Sequence, residues 1–405
     1  MKIGILKERK SPPDKRVVFS PADLLKLTQQ YPGIEVIVEP SDIRIFKDEE
    51  YAAAGFELSD NLAGCDVLLG VKEVPVDALI PGKKYFFFSH TIKKQQHNQK
   101  MLQAILDNDI TLYDHETVTD ATGHRLIGFG RYAGLVGTYN AFRAFGLKYE
   151  LHSLPKAETL VDKSALIARL KRLVLPPIKI VLTGKGKVGQ GAKEMLSAMR
   201  VKEVSPENFL AKKYSGPVYT QLDVLDYNSK KDGSAASNNS EFFNHPEDFV
   251  SDFAKYANAA DMFIAGHFHG NNAPDILTAD MLRDARCRLK VVADISCDVC
   301  GPVASTIRAC TIAEPLYGYN PSNGQETDIH HPMAIVVMAV DNLPCELPRD
   351  ASEGFGEMFA KHVIPAFFDG DANGILARAK ITEGGKLTER FKYLSGYVQE
   401  NTPHI

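Results

Sequence analysis

Short apolar runs alternate along the chain with longer stretches in which apolar residues recur every three or four positions. The runs KIGIL (2–6), IEVIVEP (34–40), CDVLLGV (65–71), KYFFFS (84–89) and ITLYD (110–114) are separated by segments such as PADLLKLTQQ and NQKMLQAILDN. The first kind has the length and side-chain type of buried strands, the second the spacing of amphipathic helices. Their succession predicts βαβ units and mainly parallel sheets. A second set begins at IKIVLTG (178–184) and continues through DMFIAG (261–266) and LKVVADIS (289–296), so two α/β units are expected. Between the sets, Tyr132, Leu135, Val136, Tyr139 and Phe142 fall at helical spacing and predict a connecting helix over 131–150. The Gly/Ser/Asn-rich stretch 228–246 reads as a mobile surface loop. Beyond the apolar run 332–344, residues 350–368 read as a helix with Asp350 as N-cap, returning to complete the first unit.

The run YFFFSHTIKKQ (85–95) changes character abruptly, from four aromatics to His90, Lys93 and Lys94. Strand ends in helix-flanked sheets are where ligands bind, so this cationic cluster fits an anion pocket. Taken alone, the stretch more often means a strand ending in a solvated loop, since most charge clusters are solvated faces.

In IKIVLTGKGKVGQGAKEMLSAM, Gly184, Gly186 and Gly189 form GxGxxG directly after a strand pattern and directly before a helical one. Glycine there permits a tight turn, close approach of a diphosphate to the backbone, and close helix–strand packing, while the helix N-terminus supplies N–H groups. Lys187 and Val188 lie inside the same turn. Roughly twenty residues on, the position for a ribose-binding carboxylate falls on Ser205. With Lys185 and Lys187 nearby, this predicts NADP in preference to NAD, although Glu203 and Glu207 flank that position.

Composition adds exclusions. The 405 residues carry a formal net charge of -4 and 24% charged residues, which gives no electrostatic pull toward nucleic acid or an acidic membrane. No apolar stretch approaches the ~18 residues of a membrane span and none opens the chain as a signal peptide would, so a cytoplasmic location is expected. Cys297 and Cys300 form a lone CxxC without a second pair or zinc spacing, so structural or incidental thiols are expected and no metal. His267 and His269 in AGHFHGN look like a metal pair but lack further ligands, and the spacing after a strand equally suits a nicotinamide-side loop, with Gly266 and His267 as its cofactor-binding residues.

Several fragments together resemble one family: LKERKSPPDKRVVFSP, GVKEVP, FFFSHTIKKQ, TGHRLIGFGRYAG, ADISCDVCGPVASTIRACTIAEPLYGYN and VDNLPCELPRDASEGFG. They are similar to the lysine-ketoglutarate reductase and lysine-forming saccharopine dehydrogenase family, relatives of alanine dehydrogenase. The resemblance spans nearly the whole chain, least over 148–175 and 210–250. It implies two Rossmann-like α/β domains with a cleft between them: a substrate domain of residues 1–145 plus 340–405, and a dinucleotide-binding domain of 146–339. It also implies an NAD(P)-dependent oxidoreductase that joins lysine and 2-oxoglutarate into saccharopine, or the reverse. Alanine dehydrogenase and a transhydrogenase-like nucleotide-binding module are the alternatives. Carried over by motif, Lys72 and His90 become the acid–base pair, and Arg16, Lys93, Arg125 and Phe129 the substrate-binding residues. Asp298 falls where alanine dehydrogenases place an aspartate near the nicotinamide ribose, with Asp294 as the alternative. The expected partners are amino-acid and 2-oxo-acid substrates, with oligomerisation open.

Overall fold

The computed structural model describes residues 1–399. The chain divides into two compact units: residues 1–129 together with the chain from Pro348 onward, and Gly130–Leu347. The helix after Phe129 therefore begins the second unit.

In the first unit, β1 (Lys2–Ile5), β2 (Glu35–Val38), β3 (Glu57–Leu58), β4 (Val67–Leu69), β5 (Lys84–Phe87) and β6 (Thr111–Asp114) form one sheet in the order β3-β2-β1-β4-β5-β6. Every pairing is parallel. The order reverses between β1 and β4, which makes their carboxyl ends the switch point where such sheets bind ligands. Parallel strands covered on both faces need side chains that are apolar both ways, and the aromatic run shows why. Phe86 and Phe88 enter the core on one face, Tyr85 and Phe87 the core on the other. Phe86 stacks on Tyr113 with centroids 4.5 Å apart and meets Phe359 edge-on at 5.3 Å. Phe359 belongs to the helix Pro348–His362, so the C-terminal return is anchored on the sheet. Asp350 lies in the first turn of that helix and is not its N-cap.

In the second unit, the chain contributes β7 (Lys179–Thr183), β8 (Lys202–Glu203), β9 (Val218–Leu222), a hairpin β10 (Asn228–Lys230) and β11 (Phe249–Ser251), then β12 (Met262–Ala265), β13 (Val291–Asp294), β14 (Leu316–Asn320), β15 (Gln325–Thr327) and β16 (Ile335–Met338). Its main sheet runs β15-β14-β16-β13-β12-β7-β9-β8, parallel except for the pairings of β14. The helix Gly130–Tyr149 is buried nearly all round. It packs on the helix Lys187–Ala198 so tightly that a Cβ on Gly134 would lie 2.0 Å from Val188 O, and one on Gly191 2.0 Å from Arg131 O. The stretch 228–246 is a loop only over 231–238, because the β10–β11 hairpin and a helix at Asn239–Asn244 organise the rest. No helix among the described residues is long and apolar enough to cross a membrane.

Candidate active site

Three strand ends of the first unit supply one cavity. It measures about 180 Å³ and is lined by Arg16, Lys72, Phe88, His90, Glu116, Arg125 and Phe129. Lys72 follows β4, His90 follows β5 and Glu116 follows β6. Arg16 is buried, its Nε and Nη2 held by Asp14 at 3.0 and 2.6 Å, with its guanidinium 4.2 Å from the Phe129 ring centroid. That arrangement fixes the plane of the fork before any ligand arrives. Asp14 is displaced upward by burial and more strongly downward by Arg16, so its carboxyl lies at about 2 and remains charged.

Lys72 is anchored through its backbone. Glu8, immediately beyond β1, accepts from Val71 N at 2.7 Å and from Lys72 N at 2.8 Å, bridging the two central strand ends. Burial, and then the positive charges of Arg16 and Lys10, hold the Lys72 ammonium below its usual range. Burial and the neighbouring Asp14 push Glu8 up to about 7. His90 takes a left-handed backbone, φ 53°, where the chain leaves β5. Its Nδ1 lies 2.5 Å from Glu73 Oε1. Burial raises the Glu73 carboxyl, but the His90 hydrogen bond, a backbone N–H and the charges of His90 and Lys10 together outweigh it and hold the group at about 2. An ionised carboxylate only accepts, so Nδ1 carries the proton in this contact.

Lys93 does not line the cavity. Its Nζ lies 3.3 Å from Glu116 Oε1, and Arg125 Nη1 approaches the same oxygen at 3.6 Å. The other oxygen, Oε2, is buried without a hydrogen-bond partner among the described residues. Behind this group, buried Asp114 accepts from Ser89 N at 3.0 Å and Glu116 N at 2.7 Å, locking the ends of β5 and β6 together. His115 Nε2 lies 2.8 Å from Gly70 O, just before Lys72. Burial forces that imidazole down to about 3, so it is neutral and donates this bond.

In the second unit, Gly184, Gly186, Lys187, Val188 and Gly189 form the connection from β7 into the helix Lys187–Ala198. Gly184 has φ +91°, and a Cβ there would meet Gly266 O at 2.4 Å; one on Gly189 would meet Gly184 O at 2.0 Å. A Cβ on Gly186 would meet nothing within 4 Å. Two of the glycines thus close the turn, while the third faces open space at a helix N-terminus, which suits a diphosphate. Gly266 N donates to Thr183 O at 3.1 Å, and His267 Nδ1 lies 2.8 Å from Thr183 Oγ1, so both residues adjoin the turn. His267 Nε2 is buried and has no partner among the described residues. Asp298 lies in the exposed loop after β13. Asp294 is buried and accepts from Ser296 Oγ, Thr306 Oγ1 and Cys297 N, so it shapes that loop.

Ser205 is displaced from its expected place. The strand beside β7 is β9, not β8, and β8 lies one position further out. Ser205 caps the helix Pro206–Ala211, accepting from Asn208 N at 3.3 Å. The strand-end position next to the glycine turn is held by Asp223, whose Oδ2 is 3.4 Å from Lys185 Nζ. The missing carboxylate behind the NADP expectation is therefore present. Sequence counting failed because the chain visits the sheet edge before it returns to pair with β7.

Glu8, Glu73, Glu116 and Asp223 were not singled out from the sequence. Each follows the end of a parallel strand by one to four residues, and that rule would have found them. Among the described residues, no group of three or more His, Cys, Asp or Glu is placed to hold a metal ion. All six cysteines are free, and burial and Asp294 push the Cys297 thiol up to about 12.

Residues 4–136 match the model described as alanine dehydrogenase/PNT, N-terminal domain, and residues 211–391 match the corresponding C-terminal domain. The chain is 28% identical to alpha-aminoadipic semialdehyde synthase of Arabidopsis thaliana, over 97% of its own length and 41% of that protein. With the mitochondrial synthase of Rattus norvegicus the figures are 28%, 94% and 46%. The chain thus spans less than half the length of these synthases. Saccharopine dehydrogenase [NAD(+), L-lysine-forming] of Yarrowia lipolytica is 25% identical, with 87% of this chain and 89% of that one covered. Among solved structures, an L-alanine dehydrogenase superposes with TM-score 0.64 at 18% identity, over 96% of this chain and 97% of that one. A transhydrogenase from Sinorhizobium meliloti gives 0.57 at 18%, over 96% and 99%. These two likenesses establish the fold: two Rossmann-like α/β units.

Proposed function

The chain belongs to the alanine dehydrogenase/PNT family, and on that premise we propose that it is a nicotinamide-nucleotide oxidoreductase acting on the C–N bond of saccharopine. It joins lysine to 2-oxoglutarate or runs the reverse. The observation that carries this reading is the single cavity in which Arg16, Lys72, His90, Glu116 and Arg125 converge. Saccharopine has three carboxylates and two amino nitrogens. A pocket for it needs several cations and at least one anion, which these side chains supply. The relatives named as aminoadipic semialdehyde synthases and saccharopine dehydrogenases point the same way.

In the condensing direction, Arg16 and Arg125 hold carboxylates of the oxo acid in bidentate pairs, and Lys93 adds charge at the rim. Glu116 accepts from an ammonium group of the amino substrate through the unpartnered Oε2. Lys72, with its pKa lowered, takes a proton from the attacking amine and returns one to the departing hydroxyl, so that water leaves. His90 exchanges a proton at Nε2 with the bridging nitrogen, while Glu73 fixes its tautomer. A reduced nicotinamide, when bound, would supply the hydride needed to reduce the imine. The glycine turn of the second unit is where the diphosphate of that cofactor fits, with Gly186 leaving the space and Lys187 and Val188 opening the helix that faces it.

The cofactor we propose is NAD. Asp223 at the end of β9 suits a ribose 2′-hydroxyl and repels a 2′-phosphate. Asp223→Ser should reduce the NADH:NADPH affinity ratio by about tenfold or more, the loss of roughly one charged hydrogen bond. Equal affinities in the unaltered protein would remove this reading.

Cofactor oxidation is measured with 2-oxoglutarate plus lysine and, separately, with pyruvate plus ammonia. Turnover in the first mixture alone is expected. Turnover in the second alone would make the protein an alanine dehydrogenase, and nucleotide binding with turnover in neither would leave a transhydrogenase-like binding module.

A further inference from the structure

Directly after Asp223 the chain makes an excursion whose place in the fold is unexplained by the chemistry above. Residues 228–251 leave the sheet, fold on themselves and come back to the same carboxylate. Phe242 and Phe249 are buried against each other with centroids 5.1 Å apart. Lys230 Nζ meets Glu241 Oε1 at 2.5 Å, and Ser237 N donates to Glu241 Oε2 at 2.8 Å. The short helix Asn239–Asn244 is thereby fixed on the β10–β11 hairpin. The helix packs against Val224–Asp226, directly after Asp223, and the Asn239 side chain is close enough to the Asp223 carboxylate to help Val224 N hold it below its usual range. Val224 N takes Oδ1 at 2.8 Å and Lys185 approaches Oδ2 at 3.4 Å. Asp223 is thus oriented from the glycine turn, from its own backbone and from the excursion.

Residues four apart share a helix face, so Asn239 and Phe243 lie one above the other while Phe242 turns into the small core. Phe243 is 53% exposed, and its ring meets Phe242 at 5.7 Å and 81°. A large aromatic is therefore held in solvent about one helical turn, ~5.4 Å, from the contact with Asp223. Adenine is one glycosidic bond from its ribose, and aromatic faces bind bases by stacking.

We propose that residues 228–251 build the adenosine end of the dinucleotide site: Asn239 orients Asp223 toward the ribose hydroxyls, and Phe243 stacks on adenine. The proposal rests on the reading that the second unit binds a nicotinamide dinucleotide. Asn239 is a positioning residue and a determinant of specificity at the 2′ position. Phe243 is a contact to the base.

Calorimetric titration of the full chain separates the two ends of the ligand. ADP-ribose carries the adenosine and diphosphate without nicotinamide, and reduced nicotinamide mononucleotide carries the other end without adenine. Phe243→Ala should weaken ADP-ribose and NADH by about tenfold, within the range for one lost stacking contact, and leave the mononucleotide unchanged. Phe243→Tyr should restore the affinity. Asn239→Ala should weaken NADH more than NADPH and narrow their ratio, since Asp223 then keeps only two of its three partners. Phe243 is exposed and Asn239 lies on the surface of a short helix, so thermal melts should match those of the unaltered protein. Unchanged ADP-ribose affinity in Phe243→Ala, together with an unchanged NADH:NADPH ratio in Asn239→Ala, would overturn the proposal while wild-type binding of NADH left the dinucleotide reading intact. Absence of NADH and NADPH binding in the unaltered protein would overturn both.

Discussion

In the first unit, β1 leads into its helix through residues 6–20, a stretch that carries Glu8, Asp14 and Arg16; in the second, β7 reaches its helix through residues 184–186, Gly-Lys-Gly. Both connections leave the carboxyl end of a parallel strand beside a switch in strand order. One fills that place with charged side chains, the other largely with backbone. The consequence is physical. A site made from side chains is dismantled by truncating them. A site made from backbone N–H groups has no side chain to remove and is dismantled by adding one. The first arrangement carries titratable groups, including Lys72 and Glu8 with displaced pKa values, and suits proton transfer. The second carries a helix N-terminus and suits a diphosphate.

The largest expected effect lies on the side-chain arrangement. Lys72→Met should lower kcat by about 10²–10⁴-fold, the usual contribution of general acid–base catalysis, with NADH affinity unchanged within about twofold. Single-turnover and steady-state kinetics, with a separate NADH titration, measure the two parts. A full-rate Lys72→Met enzyme would remove that lysine from the chemistry and with it the contrast between the units.

Next come the carboxylate ligands. Arg16→Ala and Arg125→Ala should each raise KM for 2-oxoglutarate by the equivalent of about 1.5–3 kcal/mol, as lost charged hydrogen bonds do. Lys93→Ala should cost less, because its side chain is half exposed and its Nζ is already paired with Glu116. Arg16→Ala should also lower the melting temperature, since Asp14 is left buried and charged without its partner. Arg125→Lys should recover only part of the loss, because charge remains but the fork does not. Three silent substitutions would make the cavity an ordinary polar surface.

Gly186→Val tests the backbone arrangement by addition. Its backbone, φ -75° and ψ -167°, is open to any residue, and a Cβ there meets no protein atom within 4 Å. The fold should be indifferent, with an unchanged melting temperature. Dinucleotide affinity should fall by at least about tenfold, because the branched side chain occupies the approach of the diphosphate. Unaltered NADH binding would place the diphosphate elsewhere.

Much of this architecture was legible because apolar periodicity and glycine placement are local signals. KIGIL, EVIV and KYFFF are strands because both faces of a parallel sheet must be apolar, and that requirement is written residue by residue. Lys72, His90 and Arg16 were recognised through motifs, and the structure brings them to one cavity. Strand order was not legible. β8 and β9 both follow the glycine-turn helix, and nothing in VKEV against VYTQL says which pairs with β7. The choice depends on long-range packing, and it puts Asp223, not Ser205, at the strand end next to the glycine turn. The excursion at 228–251 was misread for a related reason. Its polar composition signals a loop, but Phe242 and Phe249, widely spaced in sequence, give it a core only once the hairpin has closed.

The smallest expected effect concerns a buried carboxyl on each side of the comparison. Burial pushes Glu8 up to about 7 and Glu346 up to about 8, from an ordinary value of 4.5. Glu8 bridges two strand ends within the charged site, so its replacement disturbs function. Glu346 lies in the second unit, is 1% exposed, and accepts from Asn140 Nδ2 at 3.0 Å. Between pH 4.5 and about 8 the unfolded chain has released this proton while the folded protein retains it. The folded state then binds more protons, so stability must fall as pH rises through that window. Each unit of displacement corresponds to about 1.4 kcal/mol, and relaxation of the site reduces the total to on the order of 1–3 kcal/mol. Glu346→Gln keeps the shape and an amide oxygen for Asn140 while removing the ionisation. Its melting temperature should equal that of the unaltered protein near pH 4.5 and exceed it by a few degrees near pH 8. Glu8→Gln should flatten the same profile only up to about pH 7, and should lower activity because Val71 N and Lys72 N then compete for one oxygen. Parallel melting profiles for Glu346→Gln and the unaltered protein would mean that Glu346 is ionised in the folded state and that its pairing with Asn140 compensates for burial.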